Sequence, residues 1–169
     1  KLIINSLDTS KTETHSFYDS KKHEHEFMGN DPNQCFLKQD KITPIGDLIK
    51  DQWFKLIGEY VLNFLQKKEK MIWYKGWNGY SFPKFIIYNK GTGIYELFEV
   101  ESKPRGVPIL TLITALNDNY KGGELVMCEK FKYNLKAGET IIHPSNFLYP
   151  HEVKKVTKGK RYSMVSWVY

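Results

Sequence analysis

Residues 150–169 read PHEVKKVTKGKRYSMVSWVY, and this stretch decides the fold. It contains two β-prone segments, 151–155 and 161–169, and the second is largely apolar after an arginine at its start. Of the 25 lysine and arginine residues in the chain only two, Arg105 and Arg161, are arginine. An arginine in an apolar strand of so lysine-rich a protein indicates a task that needs a planar, permanently charged group. The commonest such task is to grip a carboxylate.

Further short β signals precede this stretch. Turn-forming sequences at 117–123 (NDNYKGG) and 137–139 (AGE) separate some of them. The additional β-prone segments are 84–88 (KFIIY), 94–98 (IYELF), 107–116 (VPILTLITAL), 124–127 (ELVM) and 140–143 (TIIH). This succession of short strands after one long helix predicts a mainly β protein, a sandwich or jelly roll with a helical buttress.

The buttress is the helix predicted after Thr43-Pro44. Apolar residues between positions 45 and 65 recur with i, i+3, i+4 and i+7 spacing, so one face of the helix should lie on a sheet. Residues 5–34 are polar and lack a sustained apolar period, and we expect them to be extended or loop. The chain is predicted to be one domain, 1–169. It would comprise an N-terminal extension (1–44), a supporting helix (45–70) and a jelly-roll core (84–169).

Composition argues against several classes of protein. The net charge of +6 comes from scattered lysines without a nucleic-acid-binding motif, so no nucleic-acid partner is predicted. No apolar run approaches the ~18 residues of a membrane span, so no membrane partner is predicted. Cys35 and Cys128 are too isolated for a disulfide framework or a thiolate metal site, which favours a cytoplasmic location. The lysine-, asparagine-, isoleucine- and tyrosine-rich composition suits an AT-rich microbial or viral source, and a viral protein would occupy the host cytoplasm. Because the chain begins with lysine, we expect a processed or excised piece.

Four motifs follow one another in the second half of the chain: 122–125 (GGEL), 136–145 (KAGETIIHPS), 150–153 (PHEV) and 159–163 (GKRYS). Their order and spacing resemble the Fe(II)- and 2-oxoglutarate-dependent dioxygenases, specifically the prolyl-hydroxylase-like branch, over residues 84–169. The resemblance implies a double-stranded β-helix, the cupin-like form of the jelly roll. It also implies that His151 binds Fe(II), that Arg161 binds the tail carboxylate of 2-oxoglutarate, and that Ser163 assists the arginine. Elementary chemistry agrees, because neutral imidazole suits Fe(II) and a buried guanidinium needs an anionic partner.

The same resemblance implies an H-x-D motif that supplies the other two metal ligands. Residues i and i+2 of a strand point to the same side, so both can reach one metal ion. Alignment on Tyr88 and on the Gly-Thr-Gly at 91–93 places Leu97 where the histidine belongs and Glu99 where the aspartate belongs. Leucine cannot ligate a metal, and this departure from the family pattern puts catalysis in doubt.

A histidine elsewhere offers a replacement. The family carries an aromatic residue before the Pro-Ser of the strand that precedes the distal histidine, whereas this chain has His143 there. A relocated metal site built from His151, Glu99 and His143 would restore two histidines and one carboxylate. The alternative is a barrel with little or no metal, in which His143 is an ordinary core residue.

The cosubstrate site shows a second departure. The family often places a tyrosine or comparable polar residue on the central strand, and the aligned residue here is Ala115. Thr111 and Tyr88 are the predicted substitutes, which with Arg161 and Ser163 complete the predicted cosubstrate site.

Other candidate sites are weaker. His23 and His25 have i, i+2 spacing but lie in a polar segment with no third ligand nearby, so a solvated segment is favoured. The glycines at 91 and 93 lack the following helix that a phosphate site needs, so a turn is favoured. The aromatic residues between 73 and 82 form either a core edge or a substrate-facing wall.

The sequence therefore predicts an Fe(II)/2-oxoglutarate-dependent oxygenase that hydroxylates a prolyl or other peptide residue, or a free amino acid. A small-molecule cosubstrate and a peptide or amino-acid substrate are the predicted partners, and the oligomeric state is open. The competing interpretation is an inactive jelly roll kept for binding or assembly, in keeping with a viral accessory protein. A third is that Leu97, Glu99 and His143 were introduced deliberately to move the metal site.

Overall fold

The structure is a computed structural model that describes residues 2–8, 11–15, 17–19, 24–26, 31–35, 43–73, 77, 79–97 and 106–169. Two α-helices are present in these residues, Leu2–Asp8 (α1) and Thr43–Glu59 (α2), and α2 continues as a π-helical segment, Tyr60–Lys68. The early strands are Glu13–Thr14 (β1), Phe17–Asp19 (β2), Glu24–Glu26 (β3) and Asn33–Cys35 (β4). The later strands are Lys84–Tyr88 (β5), Ile94–Leu97 (β6), Leu110–Ala115 (β7), Lys121–Gly122 (β8), Leu125–Met127 (β9), Phe131–Tyr133 (β10), Thr140–Pro144 (β11), His151–Val153 (β12), Val156–Lys158 (β13) and Arg161–Val168 (β14).

Two antiparallel sheets form the core of the molecule. The major sheet has the order β1-β4-β5-β14-β7-β11, and the minor sheet has the order β10-β9-β12-β6. From β5 onward the chain crosses repeatedly between them: β5, β7, β11 and β14 lie in the major sheet, and β6, β9, β10 and β12 lie in the minor sheet. This winding is that of a double-stranded β-helix, so the predicted fold class is confirmed.

The outer face of the major sheet carries the predicted helix. Alternation along β5 sends Phe85 and Ile87 to this face, where they join Trp53, Ile57 and Val61 in one buried apolar cluster. The helix therefore stabilises the sheet from outside and does not enter the space between the two sheets. No helix in the described ranges combines the length and the apolar character that crossing a membrane requires.

The inner faces of the two sheets enclose a second apolar cluster. Ile86 and Val165 from the major sheet meet Leu125, Met127 and Val153 from the minor sheet. Polar groups that share this inner face are held in a low-dielectric interior, where electrostatic interactions are strong.

Three parts of the predicted architecture were wrong. Residues 5–8 belong to helix α1 rather than to extended chain, because Leu7 is buried in the outer cluster and anchors the helix there. Residues 121 and 122 form β8 inside the predicted 117–123 turn, where Gly122 pairs with Val156 of β13. Strands β10 and β13 were missed because each is three residues long and mostly exposed, so pairing with a neighbour rather than local pattern defines them.

Candidate functional site

The inner faces of the sheets hold polar side chains at both ends of the barrel. Arg161 begins β14 opposite Tyr88, the last residue of β5. At the other end of the barrel, His143 lies near the end of β11, and the connection from 145 to 150 leads directly to His151 at the start of β12. We call these the arginine end and the histidine end of the barrel.

Arg161 is the largest of the fully buried side chains at the arginine end, with 1% of its surface exposed. Its Nη1 donates a hydrogen bond to Ser163 Oγ at 3.1 Å, and its Cζ lies 4.7 Å from the centroid of the Tyr88 ring. Strand alternation explains the first contact because residues 161 and 163 share one face of β14. The cross-strand pairing explains the second.

The Arg161 guanidinium lacks a protein counter-charge among the described residues. None of the ion pairs found in them involves Arg161, and its Nε is buried without a hydrogen-bond partner there. Burying such a charge without a partner costs roughly several kcal/mol of folding free energy, unless an anion binds and accepts its hydrogen bonds. The arginine end therefore fits the carboxylate of a small anionic ligand.

Tyr88 is the neutral residue beside Arg161, and we call Arg161, Ser163 and Tyr88 together the arginine pocket. Burial raises the pKa of its hydroxyl, and the nearby Arg161 charge opposes that rise. The phenol therefore stays protonated at neutral pH and is able to donate a hydrogen bond to an anion held by Arg161.

Two residues that sequence reasoning missed complete the pocket. A Cβ added to Gly123 would lie 3.1 Å from Arg161 Cδ and 3.3 Å from Tyr120 Cε2, so the glycine leaves the room that the arginine stem occupies. Gly123 also has a φ of 69°, which glycine adopts without strain. The available signal was the tyrosine inside the polar turn 117–123 and the glycine pair that follows it.

At the histidine end, the His143 and His151 rings meet edge to face with centroids 5.0 Å apart. His143 Nδ1 lies 2.9 Å from the Pro144 carbonyl oxygen, and His143 Nε2 is buried with no hydrogen-bond partner in the described part of the chain. The pKa of His143 is lowered to about 4, mainly by burial and to a smaller extent by the proximity of His151. A neutral imidazole with an open, buried nitrogen beside a second histidine has the donor chemistry of a transition-metal ligand.

Leu97 is the neighbour of His151 in the minor sheet. The Cα atoms of Leu97 and His151 are register partners between β6 and β12, and the register shifts by one residue between this pair and Val153 with Ile94. Such bulges are common beside active sites. Glu99 lies outside the described residues, and within those residues no group of three histidine, cysteine, aspartate or glutamate side chains is placed to hold a metal ion.

Thr111 lies apart from the arginine pocket. It is the register partner of His143 and hydrogen-bonds with Ser145 through their hydroxyls at 2.5 Å, whereas Ala115 is the residue of β7 that pairs with Ser163. Of the four predicted cosubstrate residues, the structure therefore brings Arg161, Ser163 and Tyr88 together and places Thr111 at the histidine end.

The weaker candidates are only partly described. His23 lies outside the described residues, and His25 is described only as part of strand β3. Gly91 has a φ of 89° in the turn between β5 and β6, as the turn interpretation expected.

Sequence comparisons identify the family. Residues 87–169 match the family model of the 2OG-Fe(II) oxygenase superfamily. The chain is 41% identical over 97 residues to a PKHD-type hydroxylase of Psychrobacter sp., covering 51% of this chain and 37% of the relative. It is 48% identical over 61 residues to a PKHD-type hydroxylase of Rippkaea orientalis, covering 34% of this chain and 27% of the relative. The chain thus spans about a quarter to two fifths of the length of these curated relatives.

Solved structures share the fold. A prolyl hydroxylase from Trichoplax adhaerens, in complex with a hypoxia inducible factor peptide fragment, superposes with a TM-score of 0.69 at 15% identity, covering 99% of this chain and 74% of that one. A Pseudomonas putida prolyl-4-hydroxylase superposes with a TM-score of 0.60 at 14% identity, covering 99% and 97% respectively. Residues 87–169 of this chain therefore belong to the 2OG-Fe(II) oxygenase superfamily, the family of the 2-oxoglutarate-dependent dioxygenases, and are of its prolyl-hydroxylase-like type.

Proposed function

We propose that this chain is an Fe(II)/2-oxoglutarate-dependent oxygenase that hydroxylates a prolyl or other peptide residue, or a free amino acid, at a variant metal site. The observation that carries the proposal is the buried Arg161, which has no counter-charge among the residues that the structure describes, in a chain that has only one other arginine. A charge buried in this way is expensive to keep unless it serves an anionic ligand.

The arginine pocket fits the tail of a dicarboxylate. Arg161 would hold the far carboxylate through charge-assisted hydrogen bonds, with Ser163 fixing the orientation of the guanidinium and Tyr88 adding a neutral donor. Thr111, at the histidine end, would contact the opposite end of the cosubstrate. The apolar inner cluster would exclude water from the space between.

The histidine end fits a metal ion in part. His151 and His143 would be two of its ligands, and Glu99 would be the third; the open Nε2 of His143 supports its assignment. Bound iron and 2-oxoglutarate would supply the oxidising chemistry, in which the keto acid is decarboxylated and oxygen is inserted into a C–H bond. The chain's own residues would keep the His143 imidazole neutral, orient the cosubstrate and keep the site dry.

Turnover of 2-oxoglutarate tests the activity. With Fe(II), ascorbate and oxygen, the parent should release carbon dioxide from the 2-oxoglutarate carboxyl next to the keto group, and Arg161→Lys should release far less. If neither the parent nor a Leu97→His, Glu99→Asp double variant releases carbon dioxide, the result favours the alternative, a jelly roll kept for binding or assembly. The leucine at position 97, which cannot ligate a metal, supports that alternative.

Metal retention tests the relocated ligand set. After dialysis against Fe(II) or Ni(II), the parent should retain metal, and both His143→Phe and His151→Ala should retain much less. If His143→Phe retains as much as the parent while His151→Ala does not, His143 is no ligand and the relocation is wrong. A deliberate introduction of Leu97, Glu99 and His143, a viral source and a cytoplasmic location stay predictions from the sequence.

A further inference from the structure

Exposed apolar side chains surround the histidine end of the barrel. In residues 106–169 the large hydrophobic side chains with substantial exposure are Val107, Ile109, Phe131, Tyr133, Phe147, Leu148 and Tyr149. All except Tyr133 belong to the connections and strand ends at the histidine end, and we call these six residues the apolar rim. Phe147 and Leu148 are 68% and 65% exposed, which is unusual for neighbouring residues of a loop.

Backbone hydrogen bonds join the parts of the rim. The Ser145 amide donates to the Ile109 carbonyl at 3.0 Å, and the Cys128 amide donates to the Pro150 carbonyl at 2.8 Å. The Cys128 thiol lies 3.6 Å from the Leu148 carbonyl oxygen. The connections before β7, after β9 and before β12 are therefore neighbours, and their apolar side chains share one surface at the histidine end.

Phe131 ties this surface to the site. It is the register partner of Met127, which is the register partner of His151, so the three side chains point to the same inner face of the minor sheet. Phe131 therefore lies two inter-strand spacings, about 10 Å, from His151 across the sheet. This distance equals about three residues of extended polypeptide.

Charge sets the character of the surface at Phe131. Lys130 Nζ lies 5.6 Å from the centroid of the Phe131 ring, on the exposed side of the turn. The chain as a whole carries a net charge of +6, which attracts acidic partners. A ligand on Phe131 would thus meet an apolar ring with a cation beside it.

We propose that the apolar rim docks an extended substrate polypeptide, with Phe131 and Lys130 forming a specificity subsite for an apolar side chain followed by an acidic one. The apolar side chain would lie three residues from the residue that reacts. This inference rests on the proposed function and extends it, because it selects a polypeptide over a free amino acid. A free amino acid is too short to span the roughly 10 Å between His151 and Phe131 and would leave the rim uncovered.

Peptide binding tests the subsite. The probe is fluorescein-labelled Glu-Leu-Ala-Ala-Pro-Ala-Ala-Leu-Glu, which offers the pair on both sides of a proline, and the matched probe is Gln-Ser-Ala-Ala-Pro-Ala-Ala-Ser-Gln. By fluorescence polarisation the first should bind the parent about tenfold more tightly, and Phe131→Ser should remove most of that preference. Leu62→Ser is the control: Leu62, on the π-helical segment, is 54% exposed against 51% for Phe131, and its loss should change nothing.

A charge exchange tests Lys130 without removing apolar surface. Lys130→Glu should weaken binding of the acidic probe and strengthen binding of the same probe with lysine in place of glutamate. Equal affinity of both original probes for the parent, or an unchanged preference in Phe131→Ser and Lys130→Glu, would overturn the inference. So would a parent dimer that Phe131→Ser converts to a monomer in size-exclusion chromatography, since a second copy would then cover the rim. Calorimetric binding of 2-oxoglutarate should persist in both variants, so failure of the rim is distinguishable from failure of the cosubstrate site.

Discussion

Gly123 positions Arg161, and replacing it with alanine tests that relation. The new Cβ would lie 3.1 Å from both Arg161 Cδ and Val156 Cγ2, closer than most real Cβ contacts, so the arginine stem must shift by a few tenths of an ångström. A charge-assisted hydrogen bond is worth about 1.5–3 kcal/mol, and the shift weakens rather than removes it. We expect 2-oxoglutarate affinity to fall by about 1 kcal/mol, roughly fivefold.

A second glycine separates this contact from backbone strain. Gly138 has a φ of 90°, and a Cβ there would meet nothing within 4 Å. Gly138→Ala and Gly123→Ala therefore both pay the cost of a left-handed alanine, about 1 kcal/mol, in stability. Calorimetric titration with 2-oxoglutarate, alongside thermal unfolding, should show weaker binding for Gly123→Ala only. Equal affinities in the two variants would refute the positioning role.

Two further predictions concern stability. The Tyr162 phenol donates a hydrogen bond to Asp8 Oδ1 at 2.7 Å, which ties α1 to the major sheet. Because Tyr162→Phe removes this bond, the free energy of unfolding measured in urea should fall by about 1 kcal/mol. An unchanged value would contradict this prediction. The pKa of His15 is lowered from an ordinary value of 6.5 to about 3, mainly by burial and to a smaller extent by the charge of Lys84. As the pH falls, the imidazole of His15 is protonated in the unfolded chain before it is protonated in the folded one. The free energy of unfolding therefore decreases as the pH falls from about 6.5 toward 3, by about 2 kcal/mol at pH 5. His15→Gln should lose less stability than the parent between pH 7 and pH 5 in urea unfolding, and parallel losses would show that another group is responsible.

Segments with a strong pattern were predicted well. The period of residues 45–65 identified α2, and the apolar run of β14 gave the strand whose alternation puts Arg161 and Ser163 on one face. These elements are long enough for local pattern and tertiary packing to agree. Helix α1 has only seven residues, too few for a period, and forms where Leu7 meets the outer cluster.

The site was predictable where it depends on strand alternation and not where it depends on register or loop folding. Thr111 was predicted to replace the family's tyrosine, aligned with Ala115, in the cosubstrate site, and its pairing with His143 places it at the histidine end, apart from Arg161. The approach of Gly123 to Arg161 depends on a loop that returns to β14 after folding. No spacing in the sequence encodes that contact.

The central claim is that Arg161 binds the carboxylate of 2-oxoglutarate, and calorimetric titration of the parent and Arg161→Lys tests it most directly. Lysine keeps the charge but loses the two-pronged donor and the contact with the Tyr88 ring. The account predicts binding by the parent and a loss of about 1.5–3 kcal/mol in the variant, about ten- to 150-fold in affinity. Equal affinity of the two proteins, or no binding by the parent with metal present, would contradict it.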